Sequence, residues 1–385
     1  MFIQRAIKEK LLYLATKFPV ITLTGARQCG KSTLLKNCFP TYNYVSLEDL
    51  DLRQMAESDP RGFLQNFGNF LIVDEAQYVP ALFSYIQTIV DAKNEPGMFI
   101  LSGSQNFLLM QNITQSLAGR TAILRLGTFS VDELSAFNPN LLDLNKFLFT
   151  GGYPRIYDFD IMPTDFYPNY IQTYIERDIR LIRNITDLSK FVRFLKLCAA
   201  RTGQLLNVSS LAVEAELTVP TVNAWLSILE TSYIIYLLKP YHRNFNKRLV
   251  KSPKIYFYDT GLASSLLGLG TSEQMSTHYL RGELFENMVI NEYIKSQFAV
   301  GKEPNIYFWR DSNQNEVDLL IENNSKLQAI EIKSAATMNP AFFKTLKTFQ
   351  SISNINSESM AVVYGGDLNY QTENGMFVSW KNMKF

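Results

Sequence analysis

A short apolar, β-branched run, Val20-Ile21-Thr22-Leu23-Thr24, leads directly into Gly25-Ala26-Arg27-Gln28-Cys29-Gly30-Lys31-Ser32. Thr33-Leu34-Leu35-Lys36 then opens a helical pattern. This G-x-x-x-x-G-K-[ST] string between a buried strand and a helix constrains the fold more than anything else in the chain. The glycines let backbone N–H groups curl around phosphates at the positive end of the following helix. Lys31 adds a point charge, and the Ser32 hydroxyl can ligate Mg²⁺. Gly25, Ala26, Arg27, Gln28, Cys29, Gly30, Lys31, Ser32 and Thr33 are therefore expected to hold the phosphates of a nucleotide.

Phe70-Leu71-Ile72-Val73 runs into Asp74-Glu75, a pattern that predicts a buried parallel strand presenting two acids at its tip. Asp74 would hold the Mg²⁺ of the nucleotide and Glu75 would polarise an attacking water. A third strand, Met98 to Leu101, ends in Ser102-Gly103-Ser104-Gln105, where Ser104 or Gln105 can orient that water or touch the γ-phosphate. Ala118-Gly119-Arg120 precedes a strand over Thr121–Leu126, and an arginine there can reach the nucleotide of a neighbouring subunit.

The whole chain has 385 residues, enough for two or three domains, and its 46% hydrophobic and 13% aromatic content supplies sizeable cores. Net charge of +1 gives no global argument for nucleic acid, which leaves only a local patch. Three scattered cysteines exclude a disulfide framework or zinc site and fit a reducing compartment. No apolar run approaches the roughly 18 residues that span a bilayer. Arg5, Lys8, Lys10 and Lys17 break up the N-terminal apolar residues, so no signal peptide is read there. A cytoplasmic protein with no membrane partner is expected.

The order of phosphate loop, Val73-Asp74-Glu75, Ser102-Gly103-Ser104-Gln105 and Leu117-Ala118-Gly119-Arg120 resembles the AAA+ ATPases. Within them it is similar to a bacterial and archaeal family that adds a C-terminal domain of unknown function, and the likeness runs nearly end to end. The resemblance implies a P-loop NTPase αβα core, a small helical lid, ATP with Mg²⁺ as cofactors, and an oligomeric or switch-like mode of action. Phe129–Leu134 and Leu141–Phe149 read as lid helices leading to Gly151-Gly152-Tyr153-Pro154-Arg155. That turn resembles one that touches the adenine, so Pro154 would pack on the base, and Arg155 is open between a phosphate sensor and a surface residue. Tyr170–Arg183 is helical in pattern, and its Glu176-Arg177-Asp178 would brace domain contacts.

From Leu188 the pattern becomes three helices followed by strands at Tyr233–Leu238 and Lys254–Tyr258, the layout of a winged helix. Between the strands stand Lys239, Arg243, Lys247, Arg248, Lys251 and Lys254, with Tyr241, His242 and Phe245 among them and no acid. Such a wing, residues 239–254, can neutralise DNA phosphates, although the presumptive recognition helix offers only Asn223 and a few hydroxyls.

The last third reads helix, three strands, helix, strands. Period two puts Glu331 and Lys333 on one face of their strand. With Asp318 next door and Glu286 reaching in from a helix, the group can hold a second metal ion for phosphodiester cleavage. The element order with D…E-x-K resembles the PD-(D/E)xK nuclease fold, with Val317 in place of the usual proline.

The expected organisation is α/β throughout: an AAA+ core at 1–128, a helical lid at 129–185, a winged-helix domain at 186–270 and a restriction-endonuclease-like domain at 271–385. The expected function is Mg²⁺-dependent ATP binding and hydrolysis, with ATP and ADP as ligands and a homo-oligomer among the assemblies implied. Two alternatives stand beside it, a DNA nuclease regulated by ATP and a nucleotide-switched binding module with slow turnover.

Overall fold

The computed structural model describes residues 3–104, 109, 113, 115–175, 188–241, 251–323, 326–353 and 355–383. Gln105, Glu176-Arg177-Asp178 and the basic residues Arg243, Lys247 and Arg248 lie outside the described residues.

Five strands, β1 (Val20–Gly25), β2 (Asn43–Ser46), β3 (Leu71–Asp74), β4 (Phe99–Gly103) and β5 (Thr121–Leu126), form a sheet in the order β2-β3-β4-β1-β5. All the pairings are parallel. Alternation of side chains divides its two faces. Val20, Val73, Phe99 and Leu101 pack toward the helices Leu50–Ser58, Pro60–Phe67 and Ala81–Lys93. Ile21, Leu23, Ile72, Ile100 and Leu124 face the helices Lys8–Ala15 and Lys31–Cys38. Both faces are covered, so the inner strands are buried throughout and mostly apolar, and each buried apolar side chain contributes about 1.5–3 kcal/mol by leaving water. In a parallel sheet the strand ends gather on one edge, which brings Gly25, Asp74 and Gly103 together.

After β5, the helices Val131–Phe137, Leu144–Thr150, Pro154–Phe159 and Pro163–Tyr170 form a cap beside that edge. The first begins with a full capping box, Ser130 with Glu133. Three further helices follow, Leu188–Ala199, Val208–Ala215 and Val219–Thr231, the last capped by Thr218 with Pro220 in its first turn. They lead into β6 (Ile235–Leu238) and β7 (Lys254–Phe257), an antiparallel pair.

The C-terminal part carries a six-stranded mixed sheet in the order β12-β13-β11-β10-β9-β8. Its strands are β8 (Ile306–Arg310), β9 (Glu316–Asn323), β10 (Lys326–Lys333), β11 (Met360–Tyr364), β12 (Tyr370–Thr372) and β13 (Gly375–Ser379). The helix Arg281–Ala299 lies on one face and the helix Lys344–Ser353 on the other. One continuous core runs from Leu148 of the cap through Phe194 and Tyr256 to Ile330 and Trp380. The cap, the three-helix segment and one face of the C-terminal sheet thus share their apolar interior. The short strand β12 escapes the sequence reading because its residues are mostly exposed and polar.

Candidate functional site

Gly25 ends β1 at φ +151°, and a Cβ there would sit 2.2 Å from the Leu126 carbonyl oxygen. Gly30, at φ +94°, turns the chain into the helix Lys31–Cys38. Between them the loop is buried at Ala26, Arg27 and Cys29. Lys31 is also buried, and its Nζ donates to the Gly25 and Ala26 carbonyls at 3.0 and 2.9 Å. The ammonium therefore rests on the loop that it would help to charge.

Asp74, at the tip of β3, accepts from Ser32 Oγ (2.5 Å), Tyr44 Oη (2.6 Å) and Ser102 Oγ (2.6 Å). Burial opposes its ionisation, but those three hydroxyls and the Lys31 charge outweigh it and hold the carboxyl below its ordinary value. An ionised carboxylate beside a serine hydroxyl is a donor set suited to Mg²⁺. Glu75 follows in a left-handed conformation, φ 52°. Its Oε2 accepts from Gln77 Nε2 (2.5 Å), Ser104 N (3.2 Å) and Ser104 Oγ (3.1 Å). Of the two sensor candidates, Ser104 is thus tied to the acid it was expected to assist.

Lys31, Ser32, Asp74 and Glu75 line one cleft of about 320 Å³ that also includes Gln28, Gly30, Thr33, Glu48 and Pro154. Arg27 reaches Glu48 at 3.6 Å across it. Pro154 and Arg155 enter because the Gly151–Pro154 turn is fixed from below: Asp259 accepts from Gly152 N and from Tyr167 Oη at 2.8 and 2.7 Å. At the rim stands Phe159, 69% exposed, with the Arg155 guanidinium 5.3 Å from its ring centre.

Arg120 behaves differently from the other loop-and-acid residues. Its carbonyl pairs with Val20 N at the start of β1, the sheet edge opposite Gly25, so within one chain it stays away from the phosphate loop. Its guanidinium makes a bidentate contact with Asp91 at 2.5 and 2.9 Å.

Sequence reasoning missed several residues. Arg5 is buried and donates to Cys29 O (2.8 Å), Gly127 O (2.7 Å) and Glu133 Oε1 (3.1 Å). It joins the phosphate loop, the end of β5 and the first cap helix. Its only sequence signal was an arginine inside an apolar helical pattern. Tyr44, Ser102, Gln77, Asp259 and Phe159 were likewise given no role.

The C-terminal residues expected to form a second metal site do gather. The β9–β10 ladder stops at Leu319 opposite Ile330, and the Asp318 carboxylate takes the Ile332 amide at 2.8 Å. Lys333 Nζ lies 2.5 Å from Glu331 Oε1 and 3.7 Å from Asp318 Oδ2. Glu286 enters from the helix Arg281–Ala299 but pairs with Lys254 at 2.9 Å and accepts from the Tyr256 hydroxyl. Lys254 also pairs with Glu316. Burial pushes Glu286 up to about 7 and Glu331 up to about 8, with the Asp318 charge adding to both. Two expectations change here. Among the described residues no group of three acids is arranged to hold a metal ion, because lysines take their oxygens. Lys254, expected as a phosphate-binding wing residue, is only 3% exposed and faces carboxylates.

Residues 17–135 match the family model described as an AAA domain. Residues 141–273 and 281–383 match two models, each described as a domain of unknown function (DUF8612 and DUF4143). The uncharacterized proteins Rv2008c of Mycobacterium tuberculosis and Mb2031c of Mycobacterium bovis are each 28% identical over 355 residues, which is 91% of this chain and 77% of theirs. Among solved structures, the Walker-type ATPase PABY2304 of Pyrococcus abyssi is 17% identical, covering 69% of this chain and 96% of its own, with a TM-score of 0.46. The RuvB Holliday junction branch migration motor of Thermotoga maritima is 18% identical, covering 61% and 90%, with a TM-score of 0.31. The AAA match falls on the loop and both acids. No helix among the described residues is long and apolar enough to cross a membrane.

Proposed function

We propose that this chain is an ATP-driven switch whose AAA domain binds and hydrolyses Mg·ATP and passes the state of that site to the cap and the C-terminal domain. The observation that carries it is the shared cleft, where phosphate loop, Asp74, Glu75 and the cap residue Pro154 meet. Gly25–Thr33 hold the phosphates, with Lys31 leaving the loop carbonyls for the β- and γ-phosphates. Ser32 and Asp74 would hold Mg²⁺, which supplies neutralising charge. Glu75 draws a proton from water once Gln77 and Ser104 release it, and Pro154 lies against the base. Replacing Lys31→Ala or Glu75→Gln should abolish phosphate release, and equal turnover in all three proteins would sink the reading.

Slow turnover is favoured by one specific feature, the three donors already held by Glu75 Oε2. Arg120 would serve a neighbouring copy after leaving Asp91, in a homo-oligomer; specific turnover independent of protein concentration would refute this. The three helices with β6 and β7 support a winged-helix reading, and the sheet with Asp318, Glu331 and Lys333 supports a nuclease-like one. In this proposal both serve coupling and recognition, with DNA as a candidate partner through the 239–251 stretch. Co-purified nucleic acid that changes with ATP would support that arm, and its absence in every nucleotide state would remove it.

A further inference from the structure

The acid cluster beside β9 has the residue types of a divalent-cation site, yet its positive charge already comes from the chain. Lys254 bridges Glu286 of the helix Arg281–Ala299 and Glu316 of β9. Lys333 lies against Glu331 and Asp318, and Arg310 reaches Glu316 at 3.1 Å. Four carboxylates thus meet three cations, and the Tyr256 hydroxyl adds a further donor to Glu286. A buried ammonium is costly unless paired, and here it is paired twice. One polar atom is left over: Glu331 Oε2 is buried without a hydrogen-bond partner, in a residue only 5% exposed.

We infer that Lys254 is the resident cation of this cluster, an ammonium delivered on β7 that takes the place of a divalent ion and pins the β6–β7 pair to the C-terminal sheet. The delivery is held at a second point. Phe308 N donates to Lys239 O at 3.1 Å and Tyr241 N donates to Phe308 O at 2.8 Å, so the chain just after β6 runs along the β8 edge. Both strands of the pair therefore grip the same sheet, one through backbone and one through charge. Removing the ammonium would leave Glu286 without a cation, and Glu316 with Arg310 alone, beside the unpartnered Glu331 oxygen. Such a set of hard oxygen ligands suits Mg²⁺ or Mn²⁺.

The test is Mn²⁺ titration of the nucleotide-free full chain, read by electron paramagnetic resonance and by melting temperature. Wild type, Lys254→Arg and Glu331→Gln should take up Mn²⁺ equally and weakly. Lys254→Met should gain a site at least tenfold tighter, with a melting temperature that rises on Mn²⁺ addition, and Lys254→Met with Glu331→Gln should lose it. Wild-type uptake that disappears in Glu331→Gln would overturn the inference, as would a folded Lys254→Met with no gain. Should Lys254→Met not fold, the wild type and Glu331→Gln pair still decides, because a resident lysine requires their uptake to be the same.

Discussion

The Arg5 guanidinium donates to the Cys29 carbonyl at 2.8 Å, so the phosphate loop is tied to a residue outside its own strand–loop–helix unit. The same guanidinium holds Glu133, whose carboxylate also closes the capping box of the helix Val131–Phe137. We expect Arg5→Met to destabilise the protein by about 3 kcal/mol, since a buried, charge-assisted cluster loses one partner. Chemical denaturation checks the stability, and fluorescent-nucleotide titration should show weaker ATP binding in the folded fraction. Unchanged stability and affinity would show the tie to be idle.

Gln77 holds Glu75 by a 2.5 Å hydrogen bond, and its own Oε1 is buried without a partner. Releasing the carboxylate should favour proton transfer from water. Gln77→Leu is therefore expected to raise steady-state phosphate release about threefold or more, with little change in ATP affinity. A fall in turnover would mean that Gln77 orients Glu75 productively instead of restraining it.

Phe159 is an exposed aromatic face at the mouth of the phosphate cleft, beside the proline first assigned to the base. Stacking of a base on an aromatic ring contributes about 1–3 kcal/mol. Phe159→Ala should weaken ATP about tenfold while leaving inorganic tripolyphosphate binding unchanged, and Phe159→Trp should restore ATP. Equal losses for both ligands would place the side chain's effect on the cap instead.

Stability should depend on pH through Glu286 and Glu331. Both carboxyls are raised in the folded state from an ordinary 4.5, to about 7 and about 8. The stabilisation they give as protonated groups is full below about 4.5 and is lost as pH rises through 7 and 8, at up to about 1.4 kcal/mol per pH unit for each proton. Lys254, Lys333, Glu316, Asp318 and Tyr256 face them. Denaturation at pH 5.5 and 8.5 should show higher stability at the lower value, with a smaller difference in Glu331→Gln. Asp74, whose carboxyl is lowered, acts in the opposite sense and only in acid.

Much of the AAA core was legible because its signals are local. A strand, a loop and a helix adjacent in sequence place Gly25 to Ser32, and an apolar run places Asp74 and Glu75 at a strand tip. Arg5, Gln77 and Asp259 were not legible, since each acts on a carbonyl, carboxylate or amide that only tertiary folding brings near. Lys254 shows the limit most clearly. In a list of basic residues without acids it reads as part of a phosphate-binding wing. Strand pairing turns it inward, where the acids of two other elements surround it. Composition along the chain reports charge per segment, whereas the fold decides which segments share a dielectric.

The helix Arg281–Ala299 presents Glu286 to the lysine-filled cluster and, six residues later, Glu292 to the cap, where its Oε2 accepts from Val131 N at 2.8 Å. At about 100° and 1.5 Å per residue, the two carboxylates stand about 240° apart around the helix and about 9 Å along it. That spacing works as a phase lock. Inserting or deleting one residue between them would swing one carboxylate by about 100° and unseat it. Grafting this C-terminal domain onto another ATPase core would have to preserve the count of residues as well as the two glutamates.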